Sequence, residues 1–353
     1  MPARRTAVSA LVALVALAGC TQVRGDPSPA PRTFTGPVTT VALDDVAPAG
    51  VDVLDLAPTP DGGTLALLAD TGDPATAYLA ELDDDGLGEV RRLDAAGDRL
   101  FVTADGTVLV ADPGRLTTVG GTGDGASVEL AVAGDVTALS PDGRRLYVAD
   151  GTRLAALDPA TGAVRSSADL DERLTVTDLA ATDDGVTALA SDARSPELAD
   201  VAVLATWDAR LRGGAVVELA PDRPASIPFA LRVTGGGTAV ATLTAGSDED
   251  AHRVVVVEDG EVTASHVVPG TDRTPADLAV SPDGRVAYLP VAGFEVTSGV
   301  VNLDLASGEQ LADARLCDGQ ATFGRVALSG EGLAVIGSCI SGAAPSTTAF
   351  VVR

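Results

Sequence analysis

Three aspartates and two arginines stand at one repeated position in this chain. Asp-Gly or Gly-rich turns follow short apolar runs at Asp61-Gly62, Asp105-Gly106, Asp142-Gly143, Asp184-Gly185, Gly235-Gly236-Gly237, Asp283-Gly284 and Gly330-Glu331-Gly332. Six residues upstream of each turn's Asp, or of the middle residue of the two Gly-rich turns, lie Asp55, Arg99, Val136, Asp178, Ala230, Asp277 and Arg325. Carboxylates and guanidinium groups gathered into one ring would set acceptors beside donors. Such a ring suits a cation, an amine or a polar solute. The alternative is that these charges cap strand starts and pair in water, where each pair contributes about 1 kcal/mol or less. Carboxylates could also serve general acid–base chemistry.

Other catalytic constellations are poorly supplied, and no catalytic residue is assigned. The two histidines are His252, after the acidic stretch 247–250, and His266, in an outer-strand pattern and expected at the surface. No G-x-S-x-G elbow is present to seat a nucleophilic serine. Acidic clusters at Asp83-Asp84-Asp85, Asp183-Asp184 and Asp248-Glu249-Asp250 lack the alternating spacing of a calcium loop and read as solvated turns. No metal site and no cofactor is expected.

The elements that must position the ring are strands. Val136–Leu170 shows the pattern most clearly, with apolar and β-branched runs of about five residues between Gly, Pro and Asp turn signals. Four strands in a meander make one propeller blade. The turns recur roughly every 45 residues, the period of such blades. Seven turns predict an all-β, seven-bladed antiparallel β-propeller. Its first strands, Val53–Ala57, Leu100–Thr103, Val136–Leu139, Thr177–Ala180, Ala230–Val233, Asp277–Val280 and Arg325–Leu328, line the central channel, with the charged ring at their opening end. The last blade lacks an outer strand, and Val38–Leu43 is the candidate to close it, which removes a free sheet edge.

The motifs S-P-D-G-R-R-L-Y-V-A-D…L-D-P-A-T-G at Ser140–Gly162 and S-P-D-G-R-V-A-Y-L at Ser281–Leu289 resemble YVTN-type propeller repeats. That resemblance implies the fold. Its function is open, because such families hold binding proteins, lactonase-like enzymes and surface proteins. Gluconolactonase-type propellers use Asn in their calcium centre, and the sole Asn here is Asn302. Quinoprotein repeats place a Trp in each blade, and this chain has one, Trp207.

Arg4-Arg5 followed by apolar 7–16 reads as an export leader, too short to span a bilayer. Leu17-Ala18-Gly19-Cys20 resembles the lipobox of bacterial lipoproteins, which implies lipidation of Cys20 and cleavage before it. Export is expected by the general secretory route, since Thr6-Ala7-Val8 fits a twin-arginine signal poorly. The expected divisions are a signal peptide over 1–19, a lipidated Pro-rich tether over 20–37 and the propeller over 38–353. Cys317 and Cys339 form an even pair in an exported chain and suggest a disulfide.

The formal net charge of −26 argues against nucleic acid and against docking on anionic lipid. The connections between second and third strands are long in blades four to seven. They carry Trp207, His252, Phe294 and Glu295, and loops on a rigid scaffold are common seats of function. In the longest, 192–214, Ser195-Pro196-Glu197 resembles a helix start while Val201–Trp207 fits a strand; a helical or irregular insert is expected. The whole reads as a monomeric, non-enzymatic binding or scaffold module, held by its lipid outside the cytoplasmic membrane of a bacterium. Its partner would be an envelope protein or small polar ligand. The alternative is a lactonase-like hydrolase using channel carboxylates.

Overall fold

The computed structural model describes residues 32–353, apart from 74, 84–85, 94–96, 122–124, 194–199, 224, 247–250, 270–273, 276, 294–296, 331 and 341–345. The expected leader, Cys20, Phe294, Glu295 and the acidic triplet 248–250 lie outside the described residues. Within them the chain forms seven antiparallel sheets, six of them contributed by consecutive chain segments. The seventh joins the two ends. Val38–Ala42 pairs with Thr348–Val352 in the register Val38↔Val352 to Ala42↔Thr348, so the N-terminal strand closes the last blade. The fold is the expected seven-bladed propeller.

Neither face of a blade is free to be polar, because each packs on a neighbour. The second and third strands are therefore buried in runs: Leu146–Asp150 with only its last residue exposed, and Val201–Asp208 with its first five residues buried. The core divides accordingly. Separate apolar clusters fill the seams between successive blades, including those between blades one and two, three and four, and six and seven.

That seam packing decides the segment expected as an insert. Val201–Asp208 is the third strand of blade four, paired with Gly185–Asp192 and Gly213–Glu218. A strand covered on both faces shows a continuous apolar run rather than alternation, which is why V-A-V-L-A-T-W read ambiguously. Trp207 is not on a rim loop. It is 7% exposed and packs with Tyr147 and Leu211 in the seam between blades three and four.

The inner strands of blades one, four, five and seven begin earlier than expected, as Val51–Pro58, Leu174–Ala181, Ser226–Val233 and Ala321–Leu328. Each contains a bulge, between Val53 and Asp55, Val176 and Asp178, Pro228 and Ala230, and Phe323 and Val326. A bulge inserts an unpaired residue and breaks the two-residue period, so the upstream half of each strand falls out of phase with the downstream half. The ring position consequently lies mid-strand in these blades.

The propeller also takes in residues from the expected tether. Phe34 is fully buried against Tyr288, with ring centroids 5.0 Å apart. The Asn302 side chain accepts from the Phe34 amide at 2.7 Å and donates to the Phe34 carbonyl at 2.9 Å. The Thr35 and Gly36 amides donate to the Arg353 carbonyl. Arg32–Pro37 is thus a latch on blades six and seven. An apolar side chain with a seam to fill outweighs the extended preference of the surrounding prolines. Cys317, at the end of the outer strand of blade six, is disulfide-bonded to Cys339 in blade seven, with Cα atoms 5.5 Å apart. The same junction is therefore held covalently as well.

Candidate functional site

The ring is built by three Asp–Leu or Asp–apolar steps that repeat one geometry. Asp55 follows its bulge with the carboxylate turned toward the next blade. Its Oδ1 accepts from the Leu56 amide at 3.0 Å and its Oδ2 from the Leu100 amide of blade two at 2.9 Å. Asp178 does the same with Leu179 at 2.9 Å and with Leu231 of blade five at 2.9 Å. Asp277 does so with Leu278 at 2.8 Å and with Val326 of blade seven at 3.0 Å. All three carboxylates are buried, between 2% and 7% exposed. A buried charge is tolerable only when paired and hydrogen-bonded, and each of these is both.

The pairing comes from three arginines. Arg232 donates to Asp277 at 2.8 Å and to the Leu231 carbonyl at 2.7 Å, and its Nη1 lies 3.6 Å from Asp178. Arg99 and Arg325 stand on either side of Asp55 at 3.5 and 3.7 Å. Burial pushes the Asp178 carboxyl above the usual carboxylate range, against the opposing pull of Arg232 and Arg99. For Arg232, burial opposes the charge, and the carboxylates of Asp277, Asp178 and Asp55 outweigh it and raise its pKa.

Arg232 did not emerge from the repeat alignment. Its blade places Ala230 at the ring position, and the guanidinium arrives from two residues downstream. Reading the same-face neighbour of each ring residue, i+2 along a strand, would have found it.

Between the ring and the Asp-Gly turns the channel widens into a cavity of about 470 Å³. Arg99, Arg232, Arg325 and Asp55 line its inner end, and Phe101, Leu139, Val233, Val280 and Leu328 line its collar. Pro282 and Gly235 at the turns form its outer lip. The cavity thus faces the turn side of the ring, away from the connections between second and third strands. Of the loop residues singled out from the sequence, Trp207 and His252 both lie in third strands. His252 begins the third strand of blade five, with Nδ1 2.9 Å from Thr244 Oγ1. His266 is half-buried rather than a free surface group, and its Nε2 lies 2.8 Å from the Leu305 carbonyl of the next blade. Chemically, the ring offers fixed dipoles and guanidinium donors, and its carboxylate oxygens are already committed to amides.

No protein-family model matches the chain. No curated protein matches it either. Among solved structures it is similar to hydrazine synthase of Kuenenia stuttgartiensis, with a TM-score of 0.60 and 14% identity over 80% of this chain and 92% of that one. It is likewise similar to the RRP9 WD40 repeats, with a TM-score of 0.63 and 10% identity over 91% of this chain and 99% of that one. Identities this low carry the fold alone.

Proposed function

We propose that this chain is a non-enzymatic binding module of the bacterial envelope, anchored by lipid on Cys20, with the channel as its ligand seat. The propeller supports a binding or scaffold role in the coarse sense. The lipobox-like Leu17-Ala18-Gly19-Cys20 and the cysteine pair support the extracytoplasmic address. The ligand is a polar solute in the channel or an envelope protein on the rim.

One observation favours binding over hydrolysis. Each ring carboxylate accepts two backbone amides, one of them from the neighbouring blade. A general base must reach its substrate, and these carboxylates are buried with each oxygen engaged by an amide that holds strand or blade in place. A lactonase-like role for Asp55, Asp178 or Asp277 would have to break that arrangement.

The reading is tested on cells producing the full chain. Wild type should sediment with membranes and incorporate labelled lipid, while Cys20→Ala should do neither. A lactone panel should show no turnover above solvent. Turnover abolished by Asp178→Asn in a folded protein would replace the binding reading with the hydrolase.

A further inference from the structure

Within the ring, Arg99 and Arg325 are far less satisfied than the aspartates. A guanidinium carries five N–H donors and no acceptor. The Arg99 side chain makes no hydrogen bond among the described residues, and its buried Nε is without a partner. Its tie to Asp55 is a charge contact at 3.5 Å. Arg325 reaches the Leu54 carbonyl at a long 3.4 Å and Asp55 at 3.7 Å, both through Nε. The Nη groups of both are therefore uncommitted among the described residues. Asp55 accepts an amide at each oxygen and makes no hydrogen bond with either arginine. Only Arg99 Nε is buried without an acceptor; the Nη groups sit on part-exposed side chains open to the channel, where a bidentate oxoanion would find parallel donors.

The cavity wall agrees in donor chemistry and in shape. Asp178 and Asp277 balance Arg232 from behind, so the charged groups turned to the cavity are the guanidinium groups of Arg99 and Arg325 against Asp55, although the chain as a whole carries −26. Screening over about 8 Å at physiological salt keeps the distant surface charge from cancelling a contact made inside the channel. Beyond the arginines, Phe101, Leu139, Val233, Val280 and Leu328 each leave part of their surface open to the cavity. A bare inorganic ion would leave that collar wet. About 470 Å³ lies within the range of small-molecule sites.

We infer that the channel binds a small organic anion, with its carboxylate-type head between Arg99 and Arg325 and its apolar body against the collar. This rests on the reading of the chain as a binding propeller and names the ligand class of that seat. Arg232 completes the inner wall but is tied to Asp277, so it supports the field more than the contact.

The test is titration of the purified full chain with benzoate, benzamide and inorganic phosphate, followed by NMR or calorimetry. Benzoate should bind at least tenfold more tightly than benzamide, its uncharged isostere, and more tightly than phosphate. Arg99→Gln and Arg325→Gln should each weaken benzoate at least tenfold with little change in melting temperature. Leu139→Trp, which fills the collar and touches no charge, should also weaken benzoate. Equal binding of benzoate and benzamide overturns the inference, as does binding of phosphate alone or of none of the three. Unchanged benzoate affinity in folded Arg325→Gln overturns it as well. Such failures leave the binding module standing without this ligand, provided lactone turnover is absent. Turnover lost in Asp178→Asn defeats the module itself.

Discussion

The propeller uses aspartate in two places, and the two do opposite jobs. At the turns, Asp142 and Asp283 close a local loop. Ser140 Oγ donates to Asp142 at 2.6 Å and Ser281 Oγ to Asp283 at 2.6 Å. The same hydroxyls accept from the amides of Arg145 and Arg285. Everything the turn needs lies within five residues, and Gly143 and Gly284 supply the positive φ of 67° and 71° that a side chain would resist. In the ring, Asp55, Asp178 and Asp277 reach amides 45 to 53 residues away. The turn aspartates shape one hairpin, whereas the ring aspartates join blades. The difference teaches that an Asp-Gly repeat reports the fold, while the charge that assembles it sits at a position with no local motif.

That contrast predicts unequal costs. Asp178→Ala leaves the Leu179 and Leu231 amides without an acceptor and takes one carboxylate from Arg232. With about 1–3 kcal/mol for each unsatisfied buried group, the loss should be about 4 kcal/mol in denaturant unfolding. Asp142→Ala removes bonds that water can replace and should cost about 1 kcal/mol. Equal losses at the two sites would erase the distinction between joining blades and shaping turns.

A second long-range contact sharpens the point. Tyr147 and Tyr288 occupy matching places in blades three and six, paired with Ala138 and Ala279. Beside Tyr147 the seam is filled by Trp207 from the adjoining blade. At the corresponding register of blade seven stands Val352, paired with Leu333 as Trp207 is with Val186. There the aromatic comes from the other end of the chain as Phe34, and the Arg32 carbonyl accepts the Tyr288 hydroxyl at 2.9 Å. Burial pushes that phenol up to about 12. Phe34→Ala should therefore cost about 3 kcal/mol and open the ring closure first, seen as loss of amide-exchange protection at Val38–Ala42 before the other blades. A uniform loss across all seven blades would show that the latch adds bulk stability and not closure.

How much of this was legible follows the same division. Blade number, closure by Val38–Ala42 and the cysteine pair could be read because turn signals, strand composition and cysteine parity are local or countable. The ring positions emerged once the turns were aligned, since the downstream halves of the inner strands keep a constant distance from them. Arg232, the latch and the true place of Trp207 were hidden. Each depends on a seam partner contributed by another blade, and in strands buried on both faces the alternating pattern that would betray orientation is absent. Asn302 could be noted only as the sole asparagine, and its two hydrogen bonds to Phe34 needed the closed ring.

The smallest expected effect separates the two aspartate classes by sign. The Ser140 hydroxyl, ahead of the Arg144 amide, holds the Asp142 carboxyl below the usual range despite some desolvation. A depressed folded pKa adds stability above the unfolded value, near 3.9, and that stability is lost as pH falls through the folded value. Asp178 runs the other way. With its pKa raised by burial, the folded state holds its proton longer than the unfolded one, so its contribution declines as pH climbs from about 3.9 through the raised value. Ser140→Ala should move the Asp142 titration, followed by carboxyl-carbon NMR, up toward about 3.9. The accompanying loss at pH 7 should stay under about 1 kcal/mol, because the side chain is solvent-screened. The ionisation part of that loss should vanish below both pKa values. The Asp178 titration should not move at all, and if it did, turn and ring would form one electrostatic unit.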